Sequence, residues 1–219
     1  MNGPLGTGEP SEIVAIIIAG GQARRMGGGD KALVNLGGLS LLQHVLNRLQ
    51  PQVDTILLNA NGDAKRFKDY NLPVQADLVS GYAGPLAGVL TGMAWVRQHR
   101  PQCPWLITVA ADTPFFPLNY VVRMYTVARQ QGTPLACAQY GTRTQPVFGL
   151  WPVALYDALY TALVDEGVRR VDHFTCRYPI SHVGFDELGY NPFFNINCIT
   201  DLQAGTRLWH RLSSQQVSH

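Results

Sequence analysis

Residues Ile13 to Ala19 (IVAIIIA) are apolar without interruption. A strand with one wet face alternates apolar and polar side chains, so a run that does not alternate must be covered on both faces. Two further runs of the same kind follow, Thr55–Ala60 (TILLNA) and Trp105–Ala110 (WLITVA). Between them the spacing becomes helical. Ser40 caps a segment with Leu42, Val45, Leu46 and Leu49 on one face, and residues 84–99 carry Leu86, Val89, Leu90 and Met93 on another. The pattern predicts a polar helix over 63–69, a short strand at 73–76 and a helix over 118–131. Strands at 135–139 and 146–150 follow, then helices over 153–165 and 169–176 and a strand at 179–185. Thr200–Gln203 reads as a capping box opening a last helix, with Leu202 and Trp209 inward.

Such alternation argues a three-layer α/β/α fold of Rossmann-like type with a mostly parallel sheet. No repeat or long linker divides it. We expect a flexible tail over residues 1–12, one domain over 13–212 and a polar tail over 213–219.

Of 219 residues, 46% are hydrophobic and 15% charged, which excludes wholesale disorder. The net charge of +2 demands no polyanionic partner, so nucleic acid is not expected and any anion recognition must be local. The N-terminus has no basic segment followed by an apolar core, and its first apolar run is too short to span a membrane. A cytoplasmic protein with no membrane partner is the expectation. Cys103, Cys137, Cys176 and Cys198 form no CxxC pair and the histidines show no ligand spacing, so four reduced and mostly buried thiols are expected.

The first strand leads into GGQARRMGGGDK, residues 20–31, with five glycines and three cations in twelve positions. Ligands of open parallel sheets bind beyond the carboxyl ends of strands, where this loop lies. Glycines let backbone amides approach an anion, and Arg24, Arg25 and Lys31 add charge-assisted donors. The loop is neither GxxxxGK[ST] nor GxGxxG. Composition alone leaves a phosphate cradle or a flexible connection open. Two other segments bear on the choice. In VAADTPF, Asp112 at the end of a buried strand suits Mg²⁺ between phosphates, although Asp-Thr-Pro taken alone reads more readily as a turn or cap. Asn59 closes another strand, where its amide could read a base edge. Asp77 follows the strand at 73–76 and precedes GPLAGVLTGM, a helix opening with Pro85 in its first turn.

These blocks, IIIAGGQARRMGGGDKA, LLNAN, GPLAGVLTGM after Asp77, VAADTPFFP and FFNINCITDL, resemble the molybdenum cofactor guanylyltransferases in order and across most of residues 13–209. The resemblance implies a nucleotidyltransferase fold and transfer of GMP from GTP to (molybdenum-)molybdopterin, with Mg²⁺ as cofactor and pyrophosphate as the other product. It places nucleotide binding on Ile18, Ala19, Gly20, Lys31, Asn59, Asp77 and Asp112, with Asp112 the metal ligand. Further functional loop positions are Gly21, Arg25 and Gly28, and Asn195 and Asn197 go with the acceptor. Catalysis then falls to Arg25, Lys31 and Asp112. Molybdoenzyme-maturation proteins are the protein partners such an enzyme would meet. Asp77 is expected on the guanine edge, with the ribose or a metal contact as alternatives. Gly62 stands where many relatives have a cation, and Cys198 where threonine is common. Arg169-Arg170 fits either a pterin-side phosphate or a solvated pair. The competing readings are a cytidylyltransferase on the same acceptor, a sugar- or polyol-phosphate nucleotidyltransferase, and a non-catalytic GTP-binding adaptor.

Overall fold

The computed structural model describes residues 12–20, 30–79, 81 and 84–216, so residues 1–11 and 217–219 of the two expected tails lie outside it. The first apolar run becomes β1 (Ile13–Ile18), and its neighbours in the chain are the hairpin β2 (Asn35–Leu36) and β3 (Leu39–Ser40), then α1 (Leu41–Leu49), β4 (Thr55–Asn59) and β5 (Val74–Gln75). After α2 (Pro85–His99) come β6 (Trp105–Ala110), α3 (Tyr120–Gln131), β7 (Leu135–Tyr140) and β8 (Arg143–Pro152). The chain ends through α4 (Tyr156–Val164), α5 (Val171–Thr175), β9 (Ile180–Gly184) and α6 (Ile199–Gln216).

The seven-stranded sheet runs β5-β4-β1-β6-β8-β7-β9. β1 pairs in parallel with both β4 and β6, as β4 does with β5 and β7 with β9. β1 is therefore covered twice over. Its Ile13, Ala15 and Ile17 enter one core with α1 and α3, while Val14 and Ile16 enter the other with α2, α4 and α5. The expected three layers with a mostly parallel sheet are present. Among the described residues no helix is long and apolar enough to cross a membrane.

Several boundaries differ from the sequence expectation. The polar helix at 63–69 is a 3-10 segment, Ala64–Tyr70. α6 continues to Gln216, past the Ser213 where a fraying tail was expected. Its start is also different: Thr200 lies inside the helix rather than capping it. Instead the Asp201 carboxylate reaches back to accept from the backbone N–H groups of Asn197 (2.8 Å) and Cys198 (3.1 Å). Those bonds, the Asn197 N–H first, hold the Asp201 carboxyl below the usual carboxylate range. The stability they contribute is accordingly present at neutral pH and lost as pH falls through the depressed value. Of the four thiols, Cys103 and Cys137 are buried, but Cys176 is exposed and Cys198 half-buried. Burial pushes the Cys137 thiol up to about 11.

The strand expected at 146–150 is the middle of β8, which runs antiparallel to both β6 and β7. Cys137 pairs with Gly149 but Ala138 with Gln145, so Pro146–Phe148 loop out of the ladder. The buried Thr108 hydroxyl fastens this bulge. It donates to the carbonyl of Val147 and accepts from Gly149 N–H (3.1 Å) and Trp151 Nε1–H (3.2 Å). Thr108→Val is nearly isosteric and strands both donors without an acceptor. It is expected to cost about 1–3 kcal/mol, read as a lower denaturant midpoint at unchanged slope.

Candidate active site

β1 lies where the strand order turns both ways along the sheet, and the carboxyl ends beside it form the crevice in which such sheets bind ligands. Register brings the pieces together. Ile18 stands opposite Asn59 on one side and Ala110 on the other. Beyond the ladder, Ala19 N–H still donates to Asn59 O (2.9 Å) and Ala111 N–H to Ile18 O (3.1 Å), so the chain reaches Gly20 and Asp112 in fixed positions. Among the described residues, a side chain added at Gly20 would meet nothing within 4 Å. Gly21, Arg24, Arg25 and Gly28 lie outside the described residues.

The first cluster is built around Lys31, which begins a 3-10 turn, Lys31–Leu33, just after the glycine-rich loop. Its residue is only 8% exposed. The ammonium forms an ion pair with Asp112 Oδ2 and donates to Asn197 Oδ1 and to Asn195 Oδ1 at 3.1 Å. Three oxygens from two parts of the chain thus converge on one cation. The asparagines are held there by backbone: Ile196 N–H, between them, donates to Asp112 O (2.9 Å). The hairpin after Lys31 is clamped from outside by α6, whose Trp209 ring packs on Gly37, where a Cβ would come within 2.7 Å of it. Gly37 has φ +61°, so both conformation and space exclude a side chain there.

The second cluster surrounds Asp77. Asn59, 2% exposed, donates its amide to Asp77 Oδ1 (3.0 Å) and to Gln75 O (3.2 Å). Asn61 donates to Asp77 Oδ2 (2.8 Å) and accepts from Asp77 N–H (2.9 Å). The carboxylate is thereby oriented by two carboxamides. The close approach of α2 to Asn59 needs a glycine, since a Cβ at Gly88 would lie 2.6 Å from Asn59 Oδ1.

The structure therefore brings Ile18, Ala19, Gly20, Lys31, Asn59, Asp77, Asp112, Asn195 and Asn197 to the carboxyl end of the central parallel strands, in two clusters flanking the end of β1. It places Asn195 and Asn197 on the Lys31 ammonium. Arg170 is exposed and ion-paired with Asp172, two residues on, while Arg169 donates to the carbonyls of Leu163 and Val168. Sequence reasoning missed Asn61 and Arg66. Asn61 had a signal, since it stands two residues after Asn59 and period-2 spacing returns a side chain to the same side.

The family described as the MobA-like NTP transferase domain matches residues 15–178. The chain is 47% identical to a molybdenum cofactor guanylyltransferase of Bradyrhizobium sp. (strain ORS 278), over 90% of this chain and 92% of that one. It is 46% identical to another from Mesorhizobium japonicum, over 93% of this chain and 99% of the relative. The solved structure of molybdopterin-guanine dinucleotide biosynthesis protein A from Archaeoglobus fulgidus superposes with a TM-score of 0.72 at 21% identity, covering 91% of this chain and 99% of that one. With such identity across nine-tenths of its length, the chain belongs to the molybdenum cofactor guanylyltransferases.

Proposed function

We propose that this chain transfers GMP from GTP to the terminal phosphate of molybdopterin, releasing pyrophosphate, with Mg²⁺ as its metal. The observation that carries the reading is the pairing of a cation cluster (Lys31, Asp112, Asn195, Asn197) with a carboxylate cluster (Asn59, Asn61, Asp77) across the end of β1. One suits phosphates and the other a base that presents N–H donors.

An attacking phosphate is already anionic at neutral pH, so no strong general base is required. Its oxygen forms a bond to the α-phosphorus of GTP while the α–β anhydride bond breaks, and the electron pair leaves with pyrophosphate. The obstacle is the approach of two anions and the charge that builds on the leaving group. The Lys31 ammonium supplies a positive charge at a buried point. Gly20, which has no side chain at the end of β1, would let a nucleotide approach its backbone closely.

Among the described residues no three His, Cys, Asp or Glu side chains gather to cage a metal. The Asp112 carboxylate is a hard oxygen donor of the kind Mg²⁺ favours when phosphates and water complete its shell, and it keeps acceptor capacity beyond its pair with Lys31. Asp112 would hold the ion, with Asn195 and Asn197 beside it. Bound there, Mg²⁺ would supply Lewis-acid charge to the phosphates. Asp77 would accept from the guanine N1–H and exocyclic amine.

The test is pyrophosphate release with Mg²⁺ and purified molybdopterin, offering GTP, CTP, ATP and UTP separately. Release with GTP alone supports the reading. Release with CTP instead overturns the base assignment, and release with none overturns the transfer.

A further inference from the structure

We infer that Arg66 is a positioning residue that ties the phosphate-side lysine to the base-side carboxylate, an inference that rests on the guanylyl-transfer reading above. Its guanidinium uses all three nitrogens, on two separate pieces of chain. Nε forms an ion pair with the Asp30 carboxylate, Nη1 donates to Asp63 O (2.8 Å) and Nη2 donates to Asn61 O. The group lies over the Phe67 ring, 4.6 Å from its centroid, and Phe67 is itself fully buried. The guanidinium therefore rests on a fixed floor.

Asp30 immediately precedes Lys31 and stands at the start of its 3-10 turn without capping it by a side-chain bond. Its carboxylate is spent on Arg66. At the other end, Asn61 is the residue whose amide orients Asp77. A continuous path thus runs from Lys31 through Asp30, Arg66 and Asn61 to Asp77. Gly62 makes room for it: a Cβ there would lie 3.0 Å from Arg66 Nη1, and its φ of +87° suits glycine. The geometry is specific to a planar fork. A lysine ammonium offers one point charge and cannot hold three divergent acceptors from one plane.

The brace organises both halves of the nucleotide site before binding, so its loss falls on ground-state affinity. Steady-state kinetics on Arg66→Gln and Arg66→Lys are expected to show KM for GTP raised about tenfold with kcat within about threefold. Asp30→Asn should give the same split, and the double variant Arg66→Gln/Asp30→Asn should be no worse than either single change. In Arg66→Ala, guanidinium chloride at about 10 mM is expected to restore KM while sodium chloride at equal concentration does not. An unchanged KM overturns the inference. So does a KM loss that tracks a falling thermal midpoint, adds between Arg66 and Asp30, and resists guanidinium. If the wild-type protein releases no pyrophosphate from GTP, the functional reading fails and takes this inference with it; if it does and the variants keep their KM, only the inference fails.

Discussion

Lys31→Ala is expected to lower GTP-dependent pyrophosphate release by about a hundredfold to a thousandfold, the loss typical when a preorganised charge at the reacting centre is removed. The ammonium sits at the meeting point of Asp112, Asn195 and Asn197, held by oxygens from the end of β6 and from the segment before α6. A cation fixed in that way costs no reorganisation when charge builds on the departing pyrophosphate. Its removal also leaves the Asp112 carboxylate, 19% exposed, without its cationic partner, which is expected to cost about 1–3 kcal/mol of stability. Thermal melting therefore accompanies the assay, and Lys31→Met separates the charge from the aliphatic stem. Both variants are expected to lose turnover alike. Lys31→Arg should not restore it, because a residue only 8% exposed leaves little room for a guanidinium. Turnover within about threefold of wild type in Lys31→Met would sink the proposed role.

The parts of this site that could be read from the chain are those whose signal is local. Ile13–Ile18 announced two cores because none of its residues is polar, and alternate side chains do enter opposite cores. Lys31, Asn59, Asp77 and Asp112 stand out as candidates because each lies at or just past the end of a recognisable strand or beside glycines. What escaped depends on pairing between distant segments. The sequence shows β8 only as a short strand starting at Pro146, yet the chain joins the sheet from Arg143 and passes Pro146–Phe148 by bulging, with Thr108 as the fastening. The hairpin Asn35–Ser40 has strands of two residues each, too short for any periodicity, although Gly37-Gly38 was a turn signal. At the head of α6, Thr200 fits a capping template, but the carboxylate that reaches back is that of Asp201, onto the N–H groups of Asn197 and Cys198. Arg66 is invisible for the same reason, since its carboxylate partner is 36 positions away.

The second large effect is expected at Asp77. Each of its oxygens accepts one carboxamide donor, from Asn59 at 3.0 Å and from Asn61 at 2.8 Å. An ionised carboxylate has about four acceptor positions, so two remain for a ligand. Two parallel N–H donors, as on guanine, match that remainder. In Asp77→Asn one oxygen becomes an NH₂ group, which then faces the amide of Asn59 or Asn61 as well as the base, donor against donor. We expect kcat/KM for GTP to fall about a hundredfold, because a site built to accept hydrogen bonds is left with an unpaired polar group. The informative comparison is with ITP, which keeps N1–H but lacks the exocyclic amine. Wild type should prefer GTP over ITP by about tenfold or more, and Asp77→Asn should bring the ratio close to unity. Equal losses for GTP and ITP, with their ratio preserved, would instead place Asp77 on the ribose. The ratio distinguishes the two because both nucleotides carry the same sugar and the same phosphates, so any defect in Lys31 or the metal cancels from it.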